Sequence, residues 1–207
     1  MKSLSNKQFW RKWMIQTPLV FVFGMILSAT IGFIIGGLFQ SFLDGALVLI
    51  ISFSVMGAGA GASIGFIQRK ILKKEIALPC SWILAGATGL FITEFIAGFL
   101  LWILGSNRDM GSSAQFLFIS LMIYAIGGAI IGILQVSILE KKGLNAKPWF
   151  FANSLAWGVA ILLTLISLND QEGGALIFFG MIILAAVLFS FITGYVMKRI
   201  LEPKALE

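Results

Sequence analysis

Histidine is absent from the chain, and Cys80 is its one cysteine. The commonest metal ligand and the commonest general acid–base are therefore both missing. Neither an internal disulfide nor a cysteine-cluster metal site can be built from a single thiol. No Ser or Cys is paired in the sequence with a recognisable base, so nucleophilic catalysis has no starting point. A non-enzymatic protein without cofactor or metal is the expectation. Charge is scarce as well: Asp, Glu, Lys and Arg make up 12% of the residues, about half of the roughly 25% usual in soluble domains.

What fills the gap is apolar. Hydrophobic residues account for 59% of the chain, and the mean hydropathy is +1.00. They come in six runs, about Thr17–Phe39, Ala46–Ile67, Ser81–Gly105, Ser113–Ile138, Trp149–Leu168 and Ala175–Met197. Each run reaches the roughly 20 residues that cross a bilayer as a helix. Short alternating segments of the kind that build membrane β-barrels do not occur. The chain is thus expected to be an all-α integral membrane protein whose principal partner is the lipid bilayer. The first run is too long for a signal-peptide core and should remain as a span.

The few charges are distributed unevenly. Lys2, Lys7, Arg11 and Lys12 precede the first span, and Arg69, Lys70, Lys73 and Lys74 follow the second. Lys141, Lys142 and Lys147 follow the fourth; Lys198, Arg199 and Lys204 follow the sixth. The opposite loops hold only Arg108 of the 15 basic residues, beside Asp44, Asp109, Asp170 and Glu172. By the positive-inside rule the basic side is cytoplasmic, which puts both termini inside. The net charge of +6 is read as a topology signal, and no nucleic-acid partner is expected. The domain plan is a basic cytoplasmic segment over 1–16, a membrane domain over 17–197 and a cytoplasmic tail over 198–207.

A repeated pattern closes every second span. Gly61, Gly65, Gln68 and Leu72 align with Gly128, Gly132, Gln135 and Leu139, and then with Ser190, Gly194, Met197 and Leu201. Between the first two copies the register also lays Trp82 on Trp149. Such repetition marks one supersecondary unit used several times. Here the unit is a helical hairpin, at 17–67, 81–138 and 149–197. Each copy enters from the same side, so the hairpins are expected to be parallel repeats around a pseudo-threefold axis along the membrane normal.

Small residues recur at helical spacing: Gly24, Ser28, Gly32 and Gly36 in the first span, Gly57, Gly61 and Gly65 in the second, Gly128 and Gly132 in the fourth, Ser190 and Gly194 in the sixth. Stripes of this kind let backbones approach closely, a main source of helix association in lipid. They are read as packing positions in a glycine zipper. Gln68 and Gln135 are expected to serve structure, by bonding helix-end carbonyls or reaching the next hairpin. Trp10, Trp13, Trp82, Trp102 and Trp149 lie near span ends, where amphipathic rings favour the membrane interface. The Ile-Leu pairs and the charges after them suggest that the helices continue past the lipid.

Glu94 does not fit a packing account. It lies near the middle of the third span, in Leu90-Phe-Ile-Thr93-Glu94-Phe-Ile-Ala97. A carboxylate at that depth costs about 2.5–3.5 kcal/mol on insertion scales, and needs a proton, a partner or water. No Lys or Arg lies at similar depth in another span. Thr93, Ser28, Thr30, Tyr124, Asn153, Ser154 and Thr164 are the candidate polar neighbours, and Ile161 takes its place in the following hairpin. Glu94, with Thr93 beside it, is the candidate ligand or proton site.

The segment Gly-x-x-x-Gly-x-x-Gln-x-x-x-Leu, a basic stretch and then Trp resembles a hairpin repeat of uncharacterised bacterial membrane proteins, cyanobacterial ones included. The likeness covers Gly61–Trp82 and Gly128–Trp149, and the third copy to Leu201. A Trp often follows the Gln in those proteins; here Arg69 and Val136 stand there. The resemblance implies a multi-span protein of a bacterial cytoplasmic or thylakoid membrane, and no activity. Two functions then compete. One is a packing, assembly or partner-binding component that contacts other membrane proteins or its own copies. The other is a small carrier, channel or membrane-embedded substrate-binding subunit that uses Glu94 for a proton, a cation or a polar ligand group. Glu94→Gln separates them: it should leave expression and partner pull-down unchanged in the first case, and alter proton- or cation-dependent uptake into proteoliposomes in the second.

Overall fold

A computed structural model describes residues 6–73, 75–105, 113–169 and 174–202. Lys2, Lys74, Arg108, Asp109, Asp170, Glu172 and Lys204 lie outside the described residues. Six helices follow one another: α1 (Asn6–Phe39), α2 (Gly45–Leu72), α3 (Ser81–Gly105), α4 (Ser113–Glu140), α5 (Lys147–Asn169) and α6 (Gly174–Leu201). All six are long and apolar enough to cross a membrane. The choice of helix follows from the solvent, since a segment in hydrocarbon must satisfy its own backbone N–H and C=O groups. Large apolar side chains such as Phe23, Leu84, Phe118 and Phe151 point outward. That surface suits acyl chains and would be unusual in water. The protein is a membrane-embedded, multi-pass helical bundle.

The ends of α2, α4 and α6 run on through Ile71-Leu72, Ile138-Leu139 and Ile200-Leu201. The first helix starts early: α1 begins at Asn6, inside the basic segment, and continues through Pro18. The reason lies in the spacing of Phe9, Trp13, Thr17 and Phe21, all buried, which form one inward stripe among Lys7, Arg11 and Lys12.

Each helix packs on its two neighbours in the chain, and α6 closes the ring against α1. The small residues sit at these seams. In α2, Gly57, Gly61 and Gly65 face α3, where a Cβ on Gly57 would fall 2.6 Å from the Leu90 carbonyl oxygen and one on Gly65 3.0 Å from Ile83 Cα. Gly61 and Gly86 oppose each other backbone to backbone. On α4, a Cβ at Gly128 would lie 2.5 Å from the Asn153 carbonyl oxygen of α5, and one at Gly132 2.8 Å from Phe150 Cα. Gly194 of α6 receives the Trp13 ring of α1. Within α6, Ser190 is fully buried and donates to Ala186 O. The α1 stripe turns toward α2: Gly24 meets Ser63, Ser28 meets Gly59, and Gly32 and Gly36 meet Ser52.

Helix backbones do not meet across the ring, so side chains fill its axis. At one end Trp13, Trp82 and Trp149, from α1, α3 and α5, are wholly buried together with Leu72, Leu139 and Met197 from α2, α4 and α6. The Trp82 and Trp149 rings are 5.9 Å apart and tilted, and Trp13 meets Trp149 edge-on at 6.3 Å. These three tryptophans are therefore a core plug and not interface anchors. Their indoles turn inward because the axis needs large side chains that the flanking glycines do not supply. Trp102 alone of the five is an exposed ring, while Trp10 packs edge-on against Phe191.

Gln68 and Gln135 are buried beside this plug. Gln135 accepts a hydrogen bond from Trp149 Nε1 at 2.8 Å and so ties α4 to α5. Where α6 carries Met197, Trp13 Nε1 donates instead to Thr193 Oγ1, at 3.3 Å. Substitution at the seams should show how much the close approach matters. Gly128→Val should destabilise the bundle by about 1–3 kcal/mol, the usual penalty of overpacking. Gly180→Ala, where a Cβ meets nothing within 4 Å, should be neutral or slightly stabilising. Thermal unfolding in mild detergent, followed by loss of the monodisperse peak, measures both.

Candidate functional site

Beyond the plug, Phe21, Leu90 and Trp157 form the next layer, two helical turns along the same three helices. Phe189 packs on Phe21 and Trp157 at ring distances of 5.5 and 5.1 Å. On the far side of this layer opens a cavity of about 380 Å³ lined by residues from all six helices. It extends to Leu100, Phe116, Thr164 and Phe178, within about two turns of the helix ends opposite the plug. Its walls are apolar almost throughout. Glu94, Tyr124, Ser120 and Thr164 are the carboxyl- and hydroxyl-bearing side chains among the described lining residues, and no Lys or Arg joins them.

Glu94 is set in place by its neighbours on α2 and α4. Gly57 leaves the space its side chain occupies, since a Cβ there would fall 2.5 Å from Glu94 Cγ. From α4 the Tyr124 hydroxyl donates to Glu94 Oε1 at 2.8 Å. This is the one hydrogen bond described for the carboxyl group. The residue is 6% exposed, so its second oxygen faces the cavity or its wall and not bulk solvent. A buried acceptor with one partner is a group with spare hydrogen-bonding capacity. The Thr164 hydroxyl lines the same space and donates to Ala160 O within its own helix.

Of the polar neighbours considered for Glu94, Tyr124 makes the bond and Thr164 shares the cavity. The others are engaged elsewhere. Thr93 donates to Gly89 O and packs against Gly127 of α4, away from the cavity lining. Ser28 bonds Gly24 O, Thr30 bonds Ile26 O, Asn153 bonds Trp149 O and Ser154 bonds Ala125 O. Adjacent positions on a helix point about 100° apart, so Thr93 and Glu94 cannot serve one pocket equally. Unrecognised in the sequence were the floor residues Phe21 and Trp157 and the role of Gly57. Their signal was present as a spacing: Phe21, Leu90 and Trp157 each lie eight residues after a plug tryptophan.

Among the described residues, no group of three or more Cys, Asp or Glu is placed to hold a metal ion. No protein-family model matches the chain, and no curated protein or solved structure is significantly similar to it. Fold and site together define the class: a six-helix membrane protein with an internal apolar cavity and one carboxyl group in its wall.

The bond between Tyr124 and Glu94 can be weighed by a double-mutant cycle. Tyr124→Phe should cost about 0.6 kcal/mol, the average for interhelical hydrogen bonds measured in a membrane protein, and at most about 1.7 kcal/mol. Combined with Glu94→Leu, which removes the acceptor, the loss should fall short of the sum of the single losses. Strict additivity in thermal or denaturant unfolding would show that the two groups are not coupled.

Proposed function

We propose that the protein is a membrane-embedded binding protein for a small, mainly apolar molecule, serving as a carrier or as the substrate-binding subunit of a larger transporter. The observation that carries this reading is the position of Glu94: the one carboxyl group in the middle of the helices lies in the wall of a cavity that all six helices line. A volume of about 380 Å³ falls within the range of ligand pockets, roughly 300–1,000 Å³, which are likewise apolar with a few placed polar groups. The assembly reading finds less support. Outward apolar side chains are accounted for by lipid, and no feature of the described surface favours a protein partner over acyl chains.

The scaffold is proposed to be three parallel hairpins, α1–α2, α3–α4 and α5–α6, around a pseudo-threefold axis. Three observations support it. Small residues mark each junction between hairpins, from α2 to α3, α4 to α5 and α6 to α1. A buried tryptophan opens each hairpin. Trp13 stands in the first at nearly the spacing that relates Trp82 to Trp149. The basic ends of the helices lie at the plug, so a cytoplasmic placement of that end follows from the positive-inside rule. The cavity then occupies the outer half of a bacterial membrane, and the plug separates it from the cytoplasm.

Filling the cavity tests the binding reading. A panel of compact apolar amines, alcohols and acids would be screened by thermal stabilisation of the protein in lipid nanodiscs. A ligand present at 100 times its Kd should stabilise the fold by about 2.7 kcal/mol. Ala160→Phe, which places a ring in the cavity, should abolish that stabilisation while leaving the unliganded protein at least as stable. Equal stabilisation of wild type and Ala160→Phe would place binding elsewhere.

A further inference from the structure

We infer that the cavity selects a compact hydrophobic monocation, an amine carried on an aromatic or branched aliphatic body, with its ammonium group against the Glu94 carboxylate. The inference rests on the binding reading above and specifies the chemistry of the ligand.

The polar inventory points to a donor. Glu94 supplies acceptor oxygens and uses one of them for Tyr124. The Tyr124 proton is committed to that bond, the Thr164 hydroxyl donates to Ala160 O, and Ser120 adds one neutral hydroxyl. No Lys or Arg lines the cavity among the described residues. An anionic ligand would meet a carboxyl group and no counter-charge, in surroundings where unpaired charge is costly. A cationic ligand converts the same carboxylate into a neutral pair, and the bond from Tyr124 satisfies one of its remaining lone pairs. Buried pairs persist only when geometry and extra hydrogen bonds support them.

Two further observations narrow the class. Six aromatic side chains line the space: Phe21, Phe53, Phe116, Tyr124, Trp157 and Phe178. Their faces attract an organic cation within about 6 Å, the more so when it is desolvated. The hard metal cations fit poorly, because calcium takes 6–8 oxygen ligands and magnesium a near-ideal octahedron. One carboxylate and three hydroxyls on an apolar wall do not provide either. An ammonium on a hydrocarbon body matches both: the body suits the wall, and the single charge is neutralised by the single acid.

Three probes with one apolar body test this directly: 1-naphthylmethylamine, 1-naphthylmethanol and 1-naphthoic acid. Each is titrated calorimetrically at neutral pH into the full-length protein in zwitterionic nanodiscs, with empty nanodiscs as the blank. The amine should bind at least tenfold more tightly than the alcohol, and the acid not measurably. Glu94→Gln should bring amine and alcohol within threefold of each other, chiefly by weakening the amine. Tyr124→Phe, which keeps the carboxyl group, should preserve the preference for the amine. Equal binding of amine and alcohol to the wild type, or preference for the acid, overturns the cation inference and leaves the binding reading standing. Failure of all three probes to exceed the blank, with Ala160→Phe indistinguishable from wild type, overturns both. Should Glu94→Gln not fold, the head-group series on the wild type decides, with Ala160→Phe as the site control.

Discussion

Close approach of helix backbones at small residues is the constraint from which the remaining architecture follows. In lipid there is little to gain by burying one apolar face against another, so association depends on packing and on hydrogen bonds. Gly61 against Gly86, Gly128 against Asn153 and Gly194 against Trp13 allow α2 to seat on α3, α4 on α5 and α6 on α1. With every helix tied to its chain neighbours and α6 tied to α1, the bundle is a ring. A ring of six helices has an axis, and the axis must be filled by long side chains or left empty.

The protein does both. At one end three tryptophans pack in the axis with Leu72, Leu139 and Met197 from α2, α4 and α6. Trp149 and Trp13 find hydrogen-bond acceptors in Gln135 and Thr193, whereas Trp82 Nε1 is buried without one. At the other end the side chains diverge into a cavity with Glu94 in its wall. The acid is tolerable there because Gly57 makes room for it and Tyr124 donates to it. A carboxyl group kept in apolar surroundings with one partner is poised to accept another, and the proposed cationic ligand supplies the missing charge.

Much of the architecture could be read from residue order. Runs of apolar residues placed the helices within a few residues of their observed ends, apart from the start of α1 at Asn6, and glycines of the stripes lie where helices meet. Glu94 stood out because a charge in the middle of a span is costly anywhere. Less legible were residues whose meaning depends on direction. Phe9 and Trp13 sit among lysines and an arginine, so a window average hid their inward stripe. Gln135 offers an amide to any neighbour within reach, and only the placement of Trp149 selects one. Thr93 and Glu94 are adjacent in the chain and both meet α4, yet only Glu94 lines the cavity.

Residue order alone determined that the chain crosses a membrane as six helices with a single buried acid, since hydropathy and run length depend on composition over some 20 residues and not on contacts. Tertiary structure decided which way each side chain points. It turned three tryptophans from the membrane interface into the axis, brought Tyr124 of α4 to Glu94 of α3, and left the space beside them unfilled. Those outcomes depend on how far six helices approach one another, a distance set by pairs of residues far apart in the chain.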